Sequence, residues 1–366
     1  MKPAIDLRAG LVFDAFGLGL PVRIATAVVA AVTVYAAAQG TSMSTLGTIN
    51  AVCLWACVAL SVNLVIGICG QMNLANTAFM GFGAYAGVLS TGFWHWPAWI
   101  TLTVAALVAG VAAWMLSAAI FRSKGLVFAV LTTAISLVAY SVMVNWSSVT
   151  GGLGGISTGG PLEDGGLPGA LDLALVKINE PMEYLVLLLT MTAALSVGTS
   201  ILLRRKTGRS WLAVREDEVL AASLGIDVPR EKRRAFVAAS MLGTSIGLVY
   251  AHMVAFITPD SFTFAHAAFA PLVMIMIGGS GTAVGPIIGA SIVIGVPEAL
   301  RAYELEGLGT LIYGCLLLFV VLVAPTGVAG GLQSLARRAV AHRRAGPAQP
   351  STQGEPAAAE AKTPTV

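Results

Sequence analysis

Apolar stretches of about twenty residues recur along nearly the whole chain, separated by shorter segments rich in glycine, proline and charge. A helix needs about 20 residues at 1.5 Å each to cross the roughly 30 Å hydrocarbon core of a bilayer. The runs predict ten transmembrane helices, over 22–38, 49–68, 75–92, 98–121, 126–147, 184–203, 235–257, 267–280, 284–300 and 308–324. A closed barrel would need short strands of alternating polarity, whereas these runs are apolar on every side. The eighth and ninth runs are short and joined by GGSGTAVGPIIG, so a single bent or re-entrant hairpin is the alternative there. The expected fold class is an all-α polytopic membrane protein. Its parts are a cytoplasmic N-terminus over 1–21, a transmembrane domain over 22–332 with a polar loop at 204–234, and a largely disordered cytoplasmic tail over 333–366.

Composition agrees. Hydrophobic residues make up 57% of the 366 and charged residues 11%, where a soluble domain carries about 25% charged. With ten spans and the N-terminus inside, every Lys and Arg except Lys177 and Arg301 falls on the cytoplasmic side, as the positive-inside rule requires. Both termini are then cytoplasmic. No patterned basic face of the kind nucleic acid requires is present, so no nucleic-acid partner is expected and the bilayer lipid is the surrounding medium. Cys53, Cys57, Cys69 and Cys315 lie in or beside apolar runs and read as small core residues; no metal site is expected.

The central parts of the spans lack charge, which disfavours a proton- or sodium-coupled transporter. His252 lies within a span and reads as a bonded helix histidine rather than a relay. No G-x-x-x-x-G-K-[ST] occurs, nor any paired nucleophile and base, so the chain is expected to be no enzyme and to hold no cofactor. What the spans do offer is neutral. GQMNLANTAFMGFGAYAG, residues 70–87, supplies small residues for close helix packing, and Asn63, Gln71, Asn73, Asn76 and Thr77 form a candidate polar substrate path. The glycine-rich loop at 150–169 is either flexible turn or a docking surface for another protein. Gly154, Gly155 and Ser157, with Asp260, are the candidates for docking.

The polar loop has internal order. In DEVLAASLGID, Asp217 is placed to cap a short helix, Glu218 sits in its first turn, and Gly225 is placed to end it in the left-handed conformation. Ile226 is then expected to fold back on Leu220. Leu220 and Leu224 share a face, and a helix this short needs something packed on it.

GRSWLAVREDEVLAASLGIDVPREKRRAF, residues 208–236, resembles the coupling loop of ABC importer permeases of the LivM type, the branched-chain amino acid family that includes urea-system members. GQMNLANTAFMGFGAY, TGGLGGI, YAHMVAFITPDSFTF, GGSGTAVGPIIGA and LIYGCLLLFVVLVAPTGVAGG extend the resemblance in matching order over roughly residues 45–332. It implies a type II ABC importer-like permease of the bacterial inner membrane. The implied partners are a second, related permease subunit, two ATPase subunits that bind ATP and Mg, and an extracytoplasmic substrate-binding protein. Arg215, Glu216, Asp217, Glu218, Ala221, Ala222, Gly225 and Ile226 become the ATPase-coupling residues, and branched-chain amino acids the implied cargo. Met72, Asn73 and Leu74 depart from the Ser-Leu-Gly that members often carry, which leaves urea or short amides open as cargo. A self-contained channel or facilitator for a small neutral solute is the remaining alternative.

Overall fold

The computed structural model describes residues 20–92, 94–121, 126–158, 171–172, 177–178 and 180–301. The chain runs through α1 (Leu20–Ala38), α2 (Met43–Asn63), α3 (Asn76–Gly92), α4 (Ala98–Ile120), α5 (Leu126–Asn145) and α6 (Ser147–Thr150). Strands β1 (Ile156–Ser157), β2 (Leu171–Asp172) and β3 (Lys177–Ile178) precede α7 (Pro181–Arg204), α8 (Lys206–Glu216), α9 (Glu218–Ser223) and α10 (Val228–Val254). After β4 (Phe256–Ile257) come α11 (Ala270–Gly278) and α12 (Gly285–Arg301). Each expected span from 22–38 to 284–300 coincides with a helix; the tenth, 308–324, the tail and Cys315 lie outside the described residues.

Among the described residues, six helical stretches are long and apolar enough to cross a membrane, including Met43–Ile68, Ala98–Ile120 and Pro259–Gly278. Two elements differ from the hydropathy pattern. The α10 helix begins at Val228, inside the charged segment, because its first turns bury Glu231 and Lys232 against other polar groups rather than in lipid. The nine-residue α11 is preceded by a 3-10 turn, Pro259–Phe262, and a π-helical stretch, Phe264–Phe269, and Pro259–Gly278 as a whole is 20 residues long.

The connections sort into two ends of the bundle. At one end, residues 69–75, the α8–α9 segment and residues 279–284 are linked by side-chain hydrogen bonds. At the other, β1 pairs antiparallel with β4, Ile156 opposite Ile257, and the Tyr140 hydroxyl donates to Asp260 Oδ1 at 3.2 Å. The chain from Asp260 to Gly281 therefore passes from one end to the other, because the Gly281 N–H donates to Asn63 Oδ1 at 2.9 Å. A re-entrant turn does not do this, so α11 with its π-helical lead-in is a crossing. The α12 helix then returns along α2, where Gly295 lies beside Val52.

Exposure marks the lipid-facing side. Leu107, Val108 and Val111 of α4 are exposed between Trp99 near one end and Trp114 near the other, and Met115 beside Trp114 is exposed too. Those two positions are about 22 Å apart along the helix axis, and both tryptophans are exposed on its outer side. The Arg233 guanidinium lies over the Trp114 ring, 5.6 Å from its centroid, a cation–π contact.

Glycine sets the packing inside. A Cβ at Gly83 would overlap the Thr244 carbonyl, and one at Gly247 the Met80 carbonyl, so α3 and α10 lie backbone against backbone. The same holds for α11 and α12, where a Cβ at Gly289 would overlap the Met274 carbonyl. The α3, α4 and α10 helices pack closely together, as do α2, α7, α11 and α12, and one buried apolar core runs through both sets where α2 meets α10 and the π-helical stretch before α11 meets α3. Cys53 and Cys57 are buried core residues, as expected, the latter bonded to the Thr192 hydroxyl at 3.1 Å. Gly83→Val should push α3 off α10, costing about 1–3 kcal/mol or more and lowering the thermal unfolding midpoint in detergent. Gly198→Ala, where an added Cβ meets nothing within 4 Å, should leave it unchanged.

Candidate coupling site

The polar loop folds as two helices. The α8 helix turns sharply from α7 at Arg205, whose extended backbone (φ −78°, ψ 164°) breaks the helix, and Gly208 passes so close to Leu202 that a Cβ would overlap its carbonyl. Gly208, Trp211 and Val214, three apart, form the buried face. The Trp211 indole N–H donates to Glu231 Oε2 at 2.9 Å, and Arg234 holds the other carboxylate oxygen at 2.6 Å.

The α9 helix has both expected ends. Asp217 Oδ1 accepts from the N–H groups of Val219 at 2.8 Å and Leu220 at 3.0 Å. Gly225 adopts φ +82°, with its N–H donating to the Ala222 carbonyl at 3.0 Å and that of Ile226 to the Ala221 carbonyl at 3.1 Å. That pair of bonds is the Schellman motif. Ile226 does fold back, but onto the buried cluster that contains Ala221, Trp211, Val214 and Val228, leaving Leu220 outside it. The structure thus turns part of the expected coupling set inward. Ala221 is 1% exposed, because a six-residue helix has to be anchored and a small side chain lets it approach closely. What faces outward is Val219, Leu220 and Leu224, exposed at 75%, 59% and 73%, with Ala222 and Gly225 beside them.

Arg215, though exposed, and the half-buried Glu218 also bond back to the chain. Arg215 donates through Nη1 to the Gly67 carbonyl and through Nη2 to Ser280 Oγ at 3.3 Å. Glu218 Oε1 accepts from Lys232 Nζ at 2.5 Å and from Gln71 Nε2 at 3.1 Å. Glu216 is exposed at the end of α8.

The five residues of the expected substrate path are all buried. Asn63 locks the end of α2 to the 279–284 turn, donating to the Thr282 carbonyl at 2.9 Å while accepting from Gly281. Gln71 belongs to the Glu218 network. Asn73 Oδ1 accepts from the Ala75 N–H at 3.0 Å and so helps start α3. Asn76 and Thr77 keep buried amide and hydroxyl atoms with no hydrogen-bond partner, Asn76 against Gly243 of α10. At the opposite end the four expected docking residues do come together. Gly154 and Gly155 lead into β1, Ser157 Oγ donates to the Ala255 carbonyl at 3.2 Å, and Asp260 follows β4.

Residues 44–338 match the family model described as the branched-chain amino acid transport system permease component. The chain belongs to that family. It is a multi-pass membrane protein of a permease component family, whose members lack nucleotide-binding domains and carry no cofactor of their own. It is 29% identical over 286 residues to the high-affinity branched-chain amino acid transport system permease protein LivM of Salmonella typhimurium, covering 74% of this chain and 66% of that protein. LivM of Escherichia coli K12 is 28% identical over the same coverage, so the aligned region spans just under two thirds of the LivM proteins. LivH of Salmonella typhimurium is 26% identical over 293 residues, covering 75% of this chain and 91% of LivH. No solved structure matches.

Lys232 and Ser280 escaped the sequence analysis, since nothing local marks a lysine in a basic segment or a serine in a glycine turn as a partner of residues far away in the chain. Asp217→Ala should remove the cap at a cost of about 1 kcal/mol. In hydrogen–deuterium exchange the amides of residues 219–224 should then exchange faster, while those of α8 keep their protection.

Proposed function

We propose that this permease is the membrane-spanning subunit of an ABC importer for branched-chain amino acids, worked by separate ATPase subunits that dock on α9. The supporting observation is the outward ridge of Val219, Leu220 and Leu224 on a helix capped at both ends. Exposed apolar side chains on a polar loop are costly in water, and the ridge has the form of a helix that fills a partner's groove. Asp217, Ala222, Gly225 and this ridge make up the docking surface; Arg215, Glu218, Ala221 and Ile226 hold it to the membrane domain. The α9 side is cytoplasmic and both termini lie on it. A substrate-binding protein docks at the other end, on Gly154, Gly155, Ser157 and Asp260, and a related permease subunit completes the translocation path as a heterodimer.

The relatives' names supply the cargo of those proteins, and leucine, isoleucine and valine are the first substrates to test here. Asn76 and Thr77, neutral groups with bonding capacity left, also suit urea or a short amide, which competition against labelled leucine would reveal. A self-contained channel would not need the apolar ridge.

Leu220→Glu with Leu224→Glu tests the docking. A carboxylate forced into an apolar groove costs several kcal/mol, so ATPase subunits should no longer co-purify and leucine uptake should fall to background. Because both side chains are exposed, insertion and thermal stability should be unchanged. Ala221→Glu should instead damage the fold itself. Retained ATPase association in the double variant contradicts the assignment.

A further inference from the structure

The hairpin of α4 and α5 is closed at one end and open at the other. At the closed end Phe121 stacks on Phe128 with ring centroids 5.3 Å apart, and Phe236 of α10 packs at right angles to Phe121. Toward the other end α4 and α5 touch little, and a groove of about 480 Å³ separates them. Val104 and Val108 of α4 line one side, Ala139 and Val142 of α5 the other, and Phe82 and Ala86 of α3 lie between. Along α3 the lining runs from Ala78 to Ser90, a length of about 18 Å. Trp94, Trp96 and Trp146 line the end of the groove nearest β1 and β4, the first two with ring centroids 5.5 Å apart.

We propose that this groove seats one acyl chain of a membrane phospholipid, drawn from the leaflet at the β1–β4 end of the bundle. The groove is continuous with the lipid-facing surface: Val104, Val108 and Val142 in its lining are exposed, as are Leu107 and Val111 beside them on α4. Its chemistry suits hydrocarbon and little else. The Ser90 hydroxyl donates to the Gly87 carbonyl at 3.0 Å, that of Thr101 to Ser90 Oγ at 2.8 Å, and that of Thr150 to the Met143 carbonyl at 2.7 Å. The Tyr85 hydroxyl, bonded to no protein group, is itself buried. Beyond the indoles at its end, the described lining therefore offers no free polar group, and an amino acid's charged ends would find no partner there. Water would need two to four such partners, roughly, to stay. An empty groove would forfeit the dispersion contacts of its walls, which a methylene chain held on three sides restores. The dimensions agree, since about 18 Å of groove compares with roughly 15 Å for half the hydrocarbon core. Tryptophan concentrates where headgroups meet hydrocarbon, so the three indoles put the entrance at headgroup level. The chain then supplies the packing that α4 and α5 do not give each other.

The test uses the full-length permease in liposomes of phosphatidylethanolamine and phosphatidylglycerol in equal amounts, a small share of the lipid carrying a diazirine midway along one acyl chain. Illumination should place adducts on residues 78–90 and 139–146 well above the yield on the outer face of α4 around Val111, and native mass spectrometry after gentle extraction should show one phospholipid retained per permease. Ala86 and Ala139 are half-buried in the lining. Replacing both by Phe fills the groove and should lower adducts and retained lipid roughly tenfold, because the added rings leave no room for the chain. Val138→Phe, on the exposed face of α5 outside the lining, should change neither. Adducts no denser in the groove than around Val111, lipid retained equally by the filled variant, or a retained mass that is not a phospholipid's overturns the seat. If the double variant fails to fold, Ala139→Phe alone should still reduce the groove adducts, and an unchanged yield there overturns it as well.

Discussion

In hydrocarbon no water is present to bond a peptide group, so every break in a membrane helix has to be satisfied from within the protein. Among the described residues, the chain leaves helix at one end of the bundle after α2 and again between α11 and α12. Side chains fill both gaps. Asn63 uses both ends of its amide on the turn, and Arg215 supplies the Gly67 carbonyl from outside the bundle. The polar loop is for that reason part of the membrane fold.

Close glycine packing determines what can move. Where α3 meets α10 and α11 meets α12, backbones touch without intervening side chains, and packed surfaces of this kind shift as units rather than deform. The α8–α9 segment is held to the membrane helices by directional polar bonds and by the apolar cluster around Trp211 and Ala221. A short capped helix on such links suits a part that is pushed from outside. The scarcity of charge within the spans fits the function proposed above, since import driven by a partner's ATP needs no titrating group at mid-membrane.

Much of this was legible along the chain. Hydropathy located the helices through 284–300, and the positions of Asp217 and Gly225 located the ends of α9, because capping is a local property of backbone geometry. The directions of side chains were not legible. Gln71 and Glu218 stand 147 residues apart, and no periodicity indicates that one loop lies over the other. Ala221 was expected at a partner's surface, yet it anchors α9, because a helix of six residues shows no period that separates its inner from its outer face. The end of α11 was ambiguous for a related reason: its π-helical lead-in carries the same apolar composition as a short re-entrant turn.

The central claim is that α9 meets an ATPase subunit through its outer ridge. Photo-crosslinking in membranes tests it most directly, with benzoylphenylalanine in place of the exposed Leu220 in the assembled transporter. The account predicts a light-dependent adduct between this permease and an ATP-binding subunit, identified by mass spectrometry, and none when the probe replaces lipid-facing Leu107 of α4. Adducts from Leu220 with lipid alone, or with no ATP-binding subunit, would contradict it.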